Sequence, residues 1–166
     1  EIYNYRDLKK ELQQKSHTFK TESDTEVIVH GYEEYGQQVF EKLKGMFAVA
    51  IYDARNPFNP KLLLAKDRFG EKPLFYLERD GKIYFSSESF PLVELTDRTI
   101  STDALAEYFA LGFERDHLIY GIKRLQPGTY IVAEHGTAEH MNIHIKTYWN
   151  PLFQPDYSIS LNDAVA

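Results

Sequence analysis

Residues 45 to 76 read Gly-Met-Phe-Ala-Val-Ala-Ile-Tyr-Asp-Ala-Arg-Asn-Pro-Phe-Asn-Pro-Lys-Leu-Leu-Leu-Ala-Lys-Asp-Arg-Phe-Gly-Glu-Lys-Pro-Leu-Phe-Tyr, and the fold turns on how this stretch is read. Met46 to Tyr52 is an apolar run rich in aromatic and β-branched residues, too short for an independent helix and closed by Asp53. It predicts a strand buried on both faces. Leu62 to Ala65 predicts a second strand. Between them Asn56-Pro57-Phe58-Asn59-Pro60 is a turn cluster, because each proline fixes φ and removes a donor that a ladder would need. The two strands should therefore form a hairpin. Asp67-Arg68-Phe69-Gly70 interrupts the pattern and Pro73-Leu74-Phe75-Tyr76 restarts it, so polar groups set between buried strands must find partners there.

Outward from this stretch, the pattern alternates between helical and extended periods. Asn4 is placed to cap a helix from about Tyr5 to Lys15, with Asp7 three residues on and Leu8 and Leu12 on one face. His17 to Lys20 reads as a short extended connection. Ser23 or Asp24 caps a second helix through Val27, Ile28, Tyr32 and Tyr35, which Gly36 stops. Val39, Phe40 and Leu43 belong to a third, shorter helix. Downstream, Phe75 to Glu78 and Ile83 to Ser86 flank Arg79-Asp80-Gly81, a hairpin signal, and the residues from 46 to 86 are expected to form a meander of about four strands. Thr102-Asp103 should cap a helix from Ala104 to about Leu111, ended near Gly112. Pro127-Gly128 marks a turn, and Tyr130 to Ala133 with Ile143 to Thr147 a last hairpin. Helices ahead of a mostly antiparallel sheet predict an α+β fold.

Composition narrows the function classes. A chain of 166 residues with 43% hydrophobic and 14% aromatic residues has the material for a real core. No run approaches the roughly 20 apolar residues that span a bilayer, and the opening Glu1-Ile2-Tyr3-Asn4 lacks the features of a signal peptide. No membrane association and a cytoplasmic location are therefore expected. The net charge of −6, with no basic block, argues against nucleic acid as a partner. With zero cysteines there is neither a disulfide, nor a thiolate metal site, nor a cysteine nucleophile in this sequence. The start without Met fits a piece of a longer protein.

Candidate chemistry is sparse. Glu1 and Asp24 are carboxylates near helix starts, of the kind that hold a substrate ammonium group, although acids are also common at helix N-termini for dipole reasons. Asp67 and Arg68 read as a structural ion pair or as a pair within a site. His135, His140 and His144 come with no carboxylate or cysteine pattern, so no metal site is expected of them. Ser86-Ser87-Glu88 offers hydroxyls without an identifiable base, and no Gly-rich phosphate loop is present.

Six blocks in register add a resemblance. Glu1-Ile2-Tyr3-Asn4, Ser23-Asp24-Thr25-Glu26-Val27, Gly45-Met46-Phe47-Ala48, Asp67-Arg68-Phe69-Gly70-Glu71-Lys72-Pro73-Leu74, Ser87-Glu88 and Pro127-Gly128 together resemble the glutaminase domain of glutamine-hydrolysing asparagine synthetases. The resemblance implies a class II glutamine amidotransferase. Its fold would be of the N-terminal-nucleophile hydrolase type, with two stacked antiparallel sheets between helical layers (αββα), incomplete at the N-terminus. Residues 1–147 would be the partial amidotransferase domain and 148–166 a linker toward an ATP-dependent synthetase domain. The implied reaction is hydrolysis of glutamine to glutamate and ammonia, the ammonia passing on to amidate aspartate.

Residue by residue, the resemblance matches Glu1 and Asp24 to the two acidic positions that hold the glutamine α-amino group, and Met46 to the methionine beside the ammonia passage. The family's N-terminal cysteine and the Asn-Gly pair of its oxyanion hole have no counterpart, so no catalytic residue is expected within this chain. The chain alone should be inactive, and open sheet edges should favour association. No cofactor is expected here; ATP and Mg would belong to the synthetase domain. Expected partners are glutamine, that domain, and a second copy in a homodimer. The alternatives are a related amidotransferase with another acceptor, or a non-catalytic module that binds an amino acid or a partner.

Overall fold

The computed structural model describes residues 1–113, 117–136 and 140–152. Three helices come first: α1 (Tyr5–Gln14), α2 (Asp24–Tyr35) and, after a 3-10 turn over Gly36–Gln38, α3 (Val39–Lys42). The hairpin of β1 (Ala48–Asp53) and β2 (Lys61–Lys66) follows, then that of β3 (Phe75–Arg79) and β4 (Lys82–Ser86). A single-turn helix α4 (Phe90–Val93) and helix α5 (Thr102–Leu111) lead to β5 (Ile122–Arg124), β6 (Thr129–Glu134) and β7 (Asn142–Thr147).

Helix starts follow hydrogen-bond supply more than sequence order. Ser23 caps α2, its Oγ accepting from Thr25 N at 3.2 Å, which leaves Asp24 as the first helical residue. Ser101, one residue earlier than expected, caps α5, and Gly112 closes it in the left-handed region at φ 77°. Asn4 does not cap α1 with its side chain. Its Nδ2 donates to Lys42 O at 3.0 Å and its Oδ1 accepts from Lys44 N at 2.9 Å. The end of α3 has backbone groups without intrahelical partners, and the Asn4 amide serves them instead.

The expected four-strand meander does not form. The chain makes two antiparallel sheets, ordered β1-β2-β6-β7 and β4-β3-β5, and the two hairpins fall in different ones. The switch occurs at residues 67–74, where a loop and Pro73, which cannot donate to a ladder, carry the chain from one sheet to the other. Strand β1 departs from expectation in burial as well. Val49, Ile51 and Asp53 are half-buried, whereas Ala48, Ala50 and Tyr52 are exposed. It lies at a sheet edge with β2 as its neighbour, so its apolar run covers only one face. In β2, by contrast, Leu63, Leu64 and Ala65 are fully buried. Asp80 (φ 51°) and Gly81 (φ 65°) make the β3–β4 turn with positive φ at both centres, as the Asp-Gly pair requires.

Strand alternation sorts the core into layers. Leu63, Ala65, Tyr130 and Val132 face α1, α2 and α3, where Leu8, Leu12, Val27, Ile28, Val39 and Phe40 complete one cluster. On the opposite face of the same strands, Leu64, Ile131 and Ala133 meet Tyr76 of the second sheet and Leu74 and Leu125, which flank its strands β3 and β5. The outer face of that sheet, Phe75 and Ile122, packs on Leu92 of α4. Helices, sheet, sheet and helix therefore stack in the expected αββα order. Each fully buried Leu or Phe of these clusters contributes about 1.5–3 kcal/mol. Among the described residues, no helix is long and apolar enough to cross a membrane.

Candidate functional site

Glycine at position 45 lets the N-terminal residues close onto the start of the β1–β2 hairpin. Gly45 sits at φ 148°, and a β-carbon there would collide with the carbonyl oxygen of Glu1. The close approach allows a bridge between Ile2 and Gly45, flanked by Glu1 N donating to Met46 O at 2.7 Å and Met46 N donating to Glu1 O at 3.1 Å. Asp24, at the first turn of α2, accepts from Ile2 N through Oδ2 at 2.8 Å. Its carboxylate therefore crosses to the N-terminal segment instead of capping its own helix. Ile2 itself is 1% exposed, so this junction is anchored in the core.

Glu1, Asp24 and Met46, spread over the first 46 residues, are thus brought to one junction through backbone contacts. The Glu1 side chain is exposed, while Asp24 and Met46 are half-buried. Met46 precedes β1 by two residues and does not open a central strand. The surroundings are acidic. The Tyr3 hydroxyl is pushed up from its ordinary value, first by desolvation and then by the carboxylates of Glu71, Glu1 and Asp67. A negative lining of this kind attracts an ammonium group. Sequence periodicity has no signal for the arrival of Glu71, because it depends on the loop that follows β2.

That loop is organised by Asp67, which is fully buried. Its Oδ1 accepts from Phe69 N at 3.1 Å and Glu71 N at 2.9 Å, and its Oδ2 from Lys72 N at 3.0 Å and Phe47 N at 3.2 Å. Four backbone donors replace the water the carboxylate has lost. Arg68 is not its ion-pair partner, for Arg68 Nη2 donates to Glu41 O at 2.9 Å. Asp67 O also accepts from Gly128 N at 2.9 Å, and Gly128 O from Tyr148 N at 2.9 Å. The expected linker over 148–166 begins with Tyr148, whose hydroxyl donates to Lys66 O at 2.8 Å and whose ring packs near Phe40 and Tyr130. Burial first, and then Asp67, raises the Tyr148 hydroxyl well above its ordinary value. Residues 153–166 of that linker lie outside the described residues.

A cleft of about 340 Å³ runs between α2 and β1, lined by Ile28, Tyr32, Val49 and Ile51 among others. Its lining is mostly apolar, with Glu33, Asp53 and Arg55 also on it, and it follows β1, an edge strand among the described residues. Among the described residues, the side chains that converge with metal-ligand geometry are His17, His30 and Glu33. They do not include His135, His140 or His144. The helical spacing of His30 and Glu33, three residues apart on α2, was the available signal for two of them, but the approach of His17 depends on the loop after α1.

Residues 1–149 match the glutamine amidotransferase domain family. The chain is 38% identical over 159 residues to asparagine synthetase [glutamine-hydrolyzing] 1 of Bacillus subtilis, covering 93% of this chain and 24% of the relative. A putative asparagine synthetase [glutamine-hydrolyzing] of Mycobacterium tuberculosis is 38% identical over 171 residues, covering 98% of this chain and 25% of the relative. This chain thus spans about a quarter of the length of these relatives. Among solved structures, glutamine phosphoribosylpyrophosphate amidotransferase from B. subtilis, complexed with ADP and GMP, shares the fold. The match has a TM-score of 0.56 at 17% identity, over 91% of this chain and 28% of the other.

Proposed function

The chain belongs to the glutamine amidotransferase domain family, and from that premise we propose that it is the larger part of the glutaminase domain of an asparagine synthetase. The proposed reaction cleaves the side-chain amide of glutamine and delivers the ammonia to a synthetase domain for ATP-dependent amidation of aspartate. Glu1 and Asp24 pair with the α-ammonium group of glutamine, and Met46 supplies an apolar wall where ammonia leaves. Acyl transfer also needs a nucleophile and oxyanion donors. With zero cysteines in the chain, the nucleophile is assigned to sequence N-terminal to Glu1, and the resemblance to the family assigns the oxyanion donors there too. The 166 residues by themselves should therefore hydrolyse no glutamine. ATP and Mg act in the synthetase domain, and the cytoplasm is the expected compartment.

The observation that carries this reading is the Asp24 carboxylate held on Ile2 N beside Glu1. Asp24→Asn keeps an oxygen for Ile2 N and removes the charge. In the complete enzyme, glutamine-dependent synthesis should fall roughly ten- to a hundredfold in kcat/KM, the equivalent of about 1.5–3 kcal/mol of charge-assisted bonding. Synthesis from free ammonia should persist. Equal losses with both nitrogen sources would show that Asp24 only holds the junction together. The acceptor is tested separately, by asking whether aspartate is amidated.

A further inference from the structure

We propose that His17, His30 and Glu33 form a binding site for a divalent transition-metal ion of the zinc class. His30 and Glu33 stand one turn apart on α2, and His17 comes from the loop that follows α1. Their ligating atoms form a triangle: His17 Nδ1 to His30 Nδ1 is 3.3 Å, His30 Nδ1 to Glu33 Oε2 is 2.9 Å, and His17 Nδ1 to Glu33 Oε2 is 3.7 Å. Zinc bonds nitrogen and oxygen at about 2.0–2.2 Å in a tetrahedral site, which sets ligand-to-ligand edges of about 3.3–3.6 Å. The three distances scatter about that edge.

The far nitrogens of both rings face carboxylates. His17 Nε2 lies 3.2 Å from Glu34 Oε2, and His30 Nε2 lies 3.6 Å from Glu26 Oε1. A proton held on Nε2 by a carboxylate leaves the Nδ1 lone pair for a metal, as carboxylate partners do for histidine ligands elsewhere. Lys15 Nζ, 2.7 Å from Glu34 Oε1, steadies the carboxylate behind His17. The Phe19 ring, with its centroid 4.6 Å from that of His30, covers that imidazole on one side.

The 3.3 Å contact between the two Nδ1 atoms is closed in one of two ways, by a hydrogen on one of them that makes an N–H···N bond or by a cation shared between them. The metal uses all three atoms at once, with its fourth position open to solvent past the half-exposed Glu33 side chain. Bound there, it would clip the loop between α1 and α2 onto the second turn of α2. The site is about 9 Å along the helix axis from Asp24 and does not depend on the proposed glutaminase role.

The test uses the complete natural protein without an affinity tag, freed of metal by chelation and titrated with ZnCl2 by calorimetry and with CoCl2 by visible absorption. The expected result is saturable binding with a tetrahedral cobalt spectrum, weakened at least tenfold by His17→Asn or His30→Asn. Glu34→Gln should weaken it by about ten- to a hundredfold through loss of the outer carboxylate. MgCl2, a hard cation that prefers oxygen ligands, should not compete. Should a variant fail to fold, the native protein still decides: ring resonances of His17 and His30 shift with ZnCl2 while those of His135 and His144 stay. Absence of saturable binding, binding that survives the His17→Asn and His30→Asn double variant, or unmoved His17 and His30 resonances would each overturn the proposal.

Discussion

Asp67→Asn should be among the most damaging isosteric changes available in this chain. The carboxylate is fully buried and accepts four backbone N–H bonds, two on each oxygen. An asparagine side chain keeps one acceptor oxygen and replaces the other by an amide donor. In either orientation, two backbone N–H groups then face a donor: those of Phe69 and Glu71, or those of Phe47 and Lys72. Each unsatisfied buried donor costs about 1–3 kcal/mol, so the change should cost about 2–6 kcal/mol. That is a large share of the 5–15 kcal/mol typical of a domain. The loss should appear as a lower urea midpoint, followed by far-UV circular dichroism and by the fluorescence of Trp149. This is the single tryptophan of the chain, and its ring centroid lies 5.1 Å from that of Phe69 in the same loop. A midpoint shift equivalent to less than about 1 kcal/mol, with an unchanged denaturant slope, would refute the four-donor account of Asp67.

Two further predictions concern the ammonia path and acid stability. On the proposed ammonia path past Met46, which is half-buried outside any strand, Met46→Asp in the complete enzyme should leave glutamine hydrolysis running while the asparagine formed per glutamate falls, because a carboxylate captures ammonia as ammonium and draws in water; an unchanged ratio with a lowered Tm would make Met46 only a packing residue. Glu26 accepts from Lys20 N and Thr21 N, each at 2.7 Å, and these bonds with that of the Thr21 hydroxyl hold its pKa down from the ordinary 4.5 to about 2. A carboxyl group with a folded pKa below its unfolded one stabilises the fold above pH 4.5, and the contribution fades as pH falls through about 2. Glu26→Gln should therefore flatten the pH dependence of stability in that window, and an unaltered acid-unfolding curve would count against these bonds.

Local chemistry determined much of this protein from the sequence by itself. The Asp80-Gly81 turn, the Asn56 to Pro60 loop, the Gly36 and Gly112 helix stops and the Leu8–Leu12 face all depend on residues a few positions apart, whose backbone limits are the same in any tertiary setting. The pairing of Glu1 with Met46 and the reach of Asp24 to Ile2 were not legible: the resemblance marked Glu1, Asp24 and Met46 as positions of interest, but no periodicity links residues so far apart. What the tertiary structure alone decided was membership and partnership. An apolar run such as Ala48–Asp53 reads alike whether it lies at the centre or the edge of a sheet, because the difference is made by which strands arrive beside it. The Asn4 amide and the imidazole of His17 could each be satisfied locally, yet each meets groups brought close by the packing of helices, and Asp67 adds to its three loop donors the Phe47 N that the β1–β2 pairing brings to it. The free energy that chooses among such partners comes from burying the layers together, and that is a sum over the whole chain, which no window of sequence contains.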